Sequence, residues 1–121
     1  MTQTGKDLLL KDLCGRLPYF VKVQIKNEIV VLNSICDDDG YHFNFIGDDR
    51  EGVNIEEIKP YLFPLSSMTE EQKSQYSFFL TRIIDGYDSS LLIDWLNKNH
   101  FDYRGLIPMG LANDATGLNI Y

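Results

Sequence analysis

The fold is decided by residues 21–45, which read VKVQIKNEIVVLNSICDDDGYHFNF. Apolar and polar residues alternate from Val21 to Lys26, the pattern of a strand with one buried face. The run from Ile29 to Ile35 has apolar residues on both faces and predicts a central strand. Asp39-Gly40 supplies the backbone angles of a tight hairpin, after which alternation resumes in Tyr41–Phe45. Three consecutive strands with short links predict an antiparallel meander.

A helix is predicted before the meander. Leucines recur at helical spacing in and just beyond Lys6–Cys14, with the charged residues Asp12 and Arg16 between the apolar positions. Gly15 is placed to end this helix, and Pro18 follows shortly after.

The sequence after the meander predicts one short strand and two helices. Val53–Ile55 suits a fourth short strand, whereas the prolines in Ile55–Pro64 favour an irregular connector or one helical turn. Thr69 begins a helix, because Thr69 and Gln72 form a capping box. A last helix is expected from a cap at Asp88 or Ser89 to about Asn99.

These elements predict a single α+β domain over residues 1–121: an N-terminal helix, a three- to four-stranded antiparallel meander sheet and two C-terminal helices. A chain of 121 residues buries roughly two-thirds of its surface on folding, which is enough for one core without disulfides or metal. The irregular segment 101–121 is expected to pack on the domain at least as far as Leu111. No apolar run approaches the roughly 20 residues of a membrane span.

The net charge bears on the class of partner, and the cysteines bear on the cellular compartment. The net charge is −7 and the basic residues are scattered, so nucleic acid is not an expected partner. Cys14 and Cys36 lack zinc-site spacing, and the first seven residues lack the features of a signal peptide. We therefore expect a cytoplasmic protein with two free thiols, although pairing of the two cysteines stays open.

Two clusters could carry chemistry. Asp37-Asp38-Asp39-Gly40 contains the carboxylates that calcium prefers, but strand alternation follows at once, so a solvated turn is favoured and no metal is expected. His100 and Asp102 could act as a base and its orienter. No nucleophile motif accompanies them, so we favour a structural role in which cationic His100 complements the helix end and its neighbours fix the following turn. No catalytic residue and no cofactor is predicted.

Six residues are candidates for binding a partner protein. Four belong to the polar face of the predicted sheet and two to the polar cluster near the C-terminal end: Lys22, Gln24, His42, Asn44, Tyr103 and Arg104.

Three blocks of sequence, in order, carry a resemblance. They are KDL at 6–8 with DLCGRLPY at 12–19, IKPYL at 58–62 with PLSSMTEE at 64–71, and DWLN at 94–97 with HFDYRGLI at 100–107. This combination resembles a family of small uncharacterised proteins of gut anaerobes of the Bacteroides type and their phages or prophages. The chain departs from the family pattern at Phe20, at Asn99 and in the tail after Ala112. The resemblance implies a phage or mobile-element setting and no catalytic residues.

The resulting hypothesis is a non-enzymatic, cytoplasmic protein-interaction (accessory) protein of phage or prophage origin. Two alternatives stay open: a small enzyme using His100 and Asp102, or Cys14, and an acidic anti-defence inhibitor that binds a basic host protein. The partner and the oligomeric state are left open.

Overall fold

The computed structural model describes all residues 1–121. Its three helices are α1 (Gln3–Arg16), α2 (Glu70–Ile84) and α3 (Ser90–Lys98). Its six strands are β1 (Lys22–Ile25), β2 (Glu28–Asp37), β3 (Tyr41–Phe45), β4 (Ile58–Pro64), β5 (Phe101–Asp102) and β6 (Asn113–Asp114). The predicted α+β class is therefore confirmed, with one helix before the meander and two after it.

The sheet is mixed, so the prediction of a purely antiparallel sheet is wrong. Its strand order is β3-β2-β1-β4-β5, and β6 also pairs with β4. The meander β1–β2–β3 is antiparallel as predicted, and β4 adds antiparallel to β1. Both β5 and β6 pair parallel with β4, because they return to it after long excursions rather than through hairpins.

Strand β4 occupies the segment expected to be an irregular connector. Its prolines are tolerated because Pro64 ends the strand, and Pro60 precedes the residues at which β5 and β6 add to β4. Ile58 and Leu62 are fully buried, and this burial outweighs the weak strand propensity of proline. The fourth strand expected at Val53–Ile55 does not form; these residues lie in a loop and a short helical turn.

Helix α1 is longer than predicted at both ends. The Thr2 side chain accepts a hydrogen bond from the Gly5 N–H and caps the helix. Gly15 does not end it: the Asn97 side chain lies 3.3 Å from the place a Cβ would occupy, so glycine permits close packing there. The helix ends at Arg16, before a helical turn that contains Pro18.

Two apolar clusters hold the molecule together. The larger packs α1 against one face of the sheet, and its centre includes Leu9, Leu13, Val23 and Leu62. The smaller lies under α2 and α3 around Met68, Leu92, Leu96 and Phe101. The tail packs on the domain beyond Leu111, as expected, since Ala112 and Ala115 are buried. None of the helices combines the length and apolarity needed to cross a membrane.

Candidate functional site

The four sheet residues predicted to bind a partner share one face, opposite α1. The register places Lys22 beside Val31, Gln24 beside Ile29, His42 beside Cys36 and Asn44 beside Ser34. The C-terminal segment occupies half of this face. Lys22 Nζ donates to the Ile120 carbonyl, and Gln24 Oε1 accepts from Asn113 Nδ2 at 2.8 Å. His42 and Asn44 stay exposed on β3.

Tyr103 and Arg104 contact a different set of groups. Arg104 Nε donates to Asp12 Oδ1 at 3.1 Å, and Arg104 Nη2 donates to the Tyr103 hydroxyl at 3.1 Å. That hydroxyl donates to Asn97 Oδ1 at 2.9 Å. These bonds tie the chain after α3 to α1 and α3. None of them connects Tyr103 or Arg104 to His42 or Asn44.

Asp12 and Arg16 form a fully buried ion pair, whereas the sequence interpretation placed them only as charges between the apolar positions of the helix. Arg16 Nε donates to Asp12 Oδ2 at 2.7 Å, and both side chains are 0% exposed. Arg16 Nη2 also donates to the Phe101 carbonyl at 2.7 Å. The sequence does contain a hint of this ion pair, because Asp12 and Arg16 are opposite charges at (i, i+4) spacing next to an apolar stripe. That spacing is equally typical of solvent-exposed pairs, so it does not predict burial.

His100 and Asp102 do not form an acid–base pair. Both Asp102 carboxylate oxygens accept backbone N–H bonds at 2.9 Å, from Leu106 and Ile107, and so fix the following turn. The His100 ring stacks on Tyr121 with centroids 3.7 Å apart, at one wall of a cleft of about 360 Å³. No hydrogen bond links His100 to Asp102.

The expectation that His100 is a cation at the helix end is wrong. Burial, together with the charges of Arg16 and Lys22, lowers the pKa of His100 to about 4. The ring is therefore neutral at neutral pH. Cys14 is not an activated nucleophile either, because burial raises the pKa of its thiol.

The Asp37–Gly40 hairpin has the predicted tight turn. Asp39 and Gly40 have positive φ angles of 53° and 114°, as the Asp-Gly pair requires. His42 Nε2 lies 2.8 Å from the Asp38 carbonyl oxygen and links the turn to β3. No three His, Cys, Asp or Glu side chains of the molecule are arranged to hold a metal ion.

The backbone of β3 forms an open edge of the sheet, which the sequence interpretation missed. Among the strands, β3 pairs only with β2; on its outer side Phe45 alone forms a bridge, to Asp48. The Asp38 N–H donates to the Gly40 carbonyl and the Ile46 N–H to the Val31 carbonyl, so even-numbered residues direct their backbone groups towards β2. By the same alternation, the N–H and C=O groups of Tyr41 and Phe43 point away from the sheet.

A groove runs beside this open edge. It has a volume of about 450 Å³ and lies between Tyr41–Asn44 and the loop Glu51–Val53. Tyr41 is 53% exposed at its rim, whereas Phe43 anchors the strand in the core. A smaller hollow of about 190 Å³ lies between Tyr41, Phe43 and α1. We call the open backbone of Tyr41 and Phe43, with the groove beside it, the β3 edge.

The geometry defines a small α+β domain with an open, aromatic edge strand. No protein-family model, curated protein or solved structure matches the chain, so its function is argued from the geometry.

Proposed function

We propose that this chain is a non-catalytic protein-interaction protein that binds an extended segment of a partner protein along the β3 edge. The observation that carries the proposal is the unpaired backbone of Tyr41 and Phe43 beside a groove. An extended segment that adds to such an edge gains main-chain hydrogen bonds, and pockets for its alternate side chains give specificity. His42 and Asn44, two of the residues predicted to bind a partner, belong to the same strand.

The Tyr41–Phe43 part of β3 has little of the protection that edge strands usually carry, although the loop after β3 bridges to Phe45. Such strands commonly carry lysine or proline, or are twisted away by a bulge. The sequence YHFNF of β3 has neither residue type, and the register shift of the β2–β3 pair lies on β2, between Leu32 and Ser34. At the other end of the sheet, β5 and β6 are only two residues long, and the Tyr121 hydroxyl donates to the Tyr61 carbonyl of the neighbouring β4. An open aromatic edge at Tyr41 and Phe43 is therefore a specific feature of β3.

The use of the polar side chains supports a non-catalytic role. The carboxylate of Asp102 is bonded to the backbone, and Asp12 is bonded to Arg16 and Arg104. His100 is neutral and stacked on Tyr121. These groups stabilise the fold, and none is paired with a second group in the way general acid–base catalysis requires.

The proposed setting is the cytoplasm of a bacterial host, with the protein acting as an accessory factor of a phage or prophage. Cys14 and Cys36 are exposed free thiols, which suits a reducing compartment. The phage setting rests on the sequence resemblance of the three blocks.

The test compares Tyr41→Pro with the matched variant Tyr41→Thr. Proline removes an N–H that points away from β2, so the β2–β3 ladder keeps its hydrogen bonds, whereas threonine removes the same ring but keeps the N–H. Short random peptides are selected for binding to the unsubstituted protein, and their affinities for both variants are measured. We expect Tyr41→Pro to lose binding and Tyr41→Thr to keep most of it.

A second measurement does not depend on the folding of the proline variant. Amide chemical shifts of the isotope-labelled unsubstituted protein are followed during titration with a selected peptide. The proposal requires the largest shifts in β3 and in the loop Glu51–Val53. Largest shifts at the His100 cleft or on α2 would contradict it.

A further inference from the structure

We infer that the segment bound at the β3 edge is basic: an extended peptide in which lysine or arginine alternates with apolar or β-branched residues. This inference rests on the proposed function and specifies the chemistry of the partner. It is carried by the distribution of charge around the edge.

Acidic residues are concentrated next to β3. The segment 37–51 contains six of the 18 acidic residues and one of the 11 basic residues, a net charge of −5. The other residues carry 12 acidic and 10 basic side chains, a net charge of only −2. Most of the excess negative charge of the molecule therefore lies at the end of β2 and in the two loops that flank the β3 edge.

These carboxylates have almost no cations of their own. Arg50 is the single basic residue of the segment, and it bonds to Asp48 at 2.8 Å and to Glu28 at 2.7 Å. Asp37, Asp38, Asp39, Asp49 and Glu51 form no ion pair within the chain. They are exposed.

This distribution of charge favours basic partner segments over neutral and acidic ones. An acidic segment approaching the edge meets repulsion from both loops, and a neutral segment reduces the hydration of the carboxylates without replacing it. A basic segment is attracted over several ångströms and pairs with the carboxylates on arrival. The strand itself contains no Asp, Glu, Lys or Arg, so the backbone of the segment can pair with β3 while its cations meet the two loops.

The two-residue repeat of a strand determines which positions of the bound peptide should be apolar and which should be basic. Successive side chains of an added strand point to opposite faces of the sheet. On the α1 face they would meet Tyr41, Phe43 and the hollow of about 190 Å³. Leu10 and Ile55 line the apolar part of this hollow, which suits apolar side chains, and its cation Lys6 is already paired with Glu56. On the other face they would lie beside His42 and Asn44 in solvent. Alternation of apolar and basic residues fits both faces.

The experiment uses three capped peptides of equal length, each with valine and threonine at alternate positions. The remaining positions are all lysine, all glutamine or all glutamate. Affinities and amide shifts are measured at low and at physiological salt. We expect the lysine peptide to bind at least about tenfold more tightly than the glutamine peptide, with shifts in β3, and to weaken as salt is added.

Two matched triple variants locate the charges responsible. Asp38→Asn, Asp39→Asn and Glu51→Gln remove three carboxylates beside the edge. Glu71→Gln, Asp85→Asn and Asp94→Asn remove three exposed carboxylates from α2, α3 and the turn between them, with the same change in net charge. We expect the first variant to lose about tenfold in affinity for the lysine peptide and the second to lose less than about twofold.

The outcomes separate this inference from the proposed function. Equal binding of the lysine and glutamine peptides, with shifts in β3, would overturn the inference and leave the proposed function standing. Equal losses in the two triple variants would also overturn the inference, because attraction would then depend only on net charge. No shift in β3 with any of these peptides or with the selected random peptides would overturn both.

Discussion

Arg16 shows how a single residue can join three parts of this molecule. Its guanidinium is completely buried, donates to Asp12 within α1, and donates to the Phe101 carbonyl of β5. The Arg16 guanidinium also lies over the Tyr103 ring, with its Cζ 5.3 Å from the ring centroid. Its Nη1 forms no hydrogen bond. A buried pair of this kind is costly to break but is not necessarily a source of stability, because two charges have lost their hydration.

We predict opposite effects from breaking the pair and from replacing it. Arg16→Met leaves Asp12 with only Arg104, whose side chain is 19% exposed, and is expected to lower the free energy of unfolding by about 3 kcal/mol. The double variant Asp12→Leu with Arg16→Met removes both charges and is expected to recover at least half of that loss. Urea unfolding at pH 7 measures both. Simple addition of the two single-variant losses would contradict the prediction.

At the level of elements, the stability of α2 depends more on its N-terminal cap than on burial in the core. None of its residues is fully buried, and its contact with α3 runs through the half-buried side chains Tyr76 and Phe79 against Trp95. The Thr69 hydroxyl accepts from the Gln72 N–H at 3.2 Å, and Gln72 Oε1 accepts from the Thr69 N–H at 2.9 Å. This reciprocal cap compensates for a helix that buries little apolar surface.

Thr69→Ala is therefore expected to destabilise α2 by about 1 kcal/mol, the usual value of an N-cap. Hydrogen exchange of the α2 amides reports the loss, since the helix can open without global unfolding. Gln75→Ala, at an exposed position in the middle of the helix, is the control and should change exchange little. Equal protection of α2 in both variants would show that packing, rather than the cap, holds the helix.

The elements also show how far the sequence could predict the fold. The meander, the capping box and the last helix were predicted because each depends on local signals: alternation, cap chemistry and helical spacing. Strand β4 was missed because its evidence is tertiary: Pro60 and Pro64 argue against a strand until β1, β5 and β6 are known to pair there. Likewise, His42 and Asn44 could be placed on an exposed face, but the open backbone of Tyr41 and Phe43 depends on which strand ends the sheet.

At the scale of the whole molecule, the contact between His100 and Tyr121 joins the C-terminal segment to the sheet. The Tyr121 hydroxyl accepts from the Lys22 N–H at 2.8 Å and donates to the Tyr61 carbonyl at 2.8 Å. Its burial raises the pKa of Tyr121 to about 12. The His100 ring stacked on it is held neutral, near the positive charges of Arg16 and Lys22. Closure of this segment therefore favours the uncharged form of both rings.

The pH dependence of stability follows from these two shifts. The pKa of His100 is about 4 in the folded protein against 6.5 for an unperturbed histidine, so the unfolded chain takes up a proton first as the pH falls. The contribution of this residue is complete above pH 6.5 and is lost between pH 6.5 and about 4. For Tyr121 the unfolded chain loses its proton first, so stability is lost as the pH rises from 10 to about 12.

We predict that the free energy of unfolding falls by up to about 3 kcal/mol through His100 between pH 6.5 and 4, and by less where solvent screens the exposed part of the ring. His100→Asn removes the titrating group while tolerating its positive φ angle of 62°, and should flatten this part of the profile. His42→Asn, which leaves His100 in place, is the matched control variant. Urea unfolding across the pH range and the titration of the ring protons measure both effects. A His100 ring that titrates near pH 6.5 in the folded protein would contradict the prediction, because it would mean that the ring is not buried against Tyr121, and burial is the largest cause of the lowered pKa.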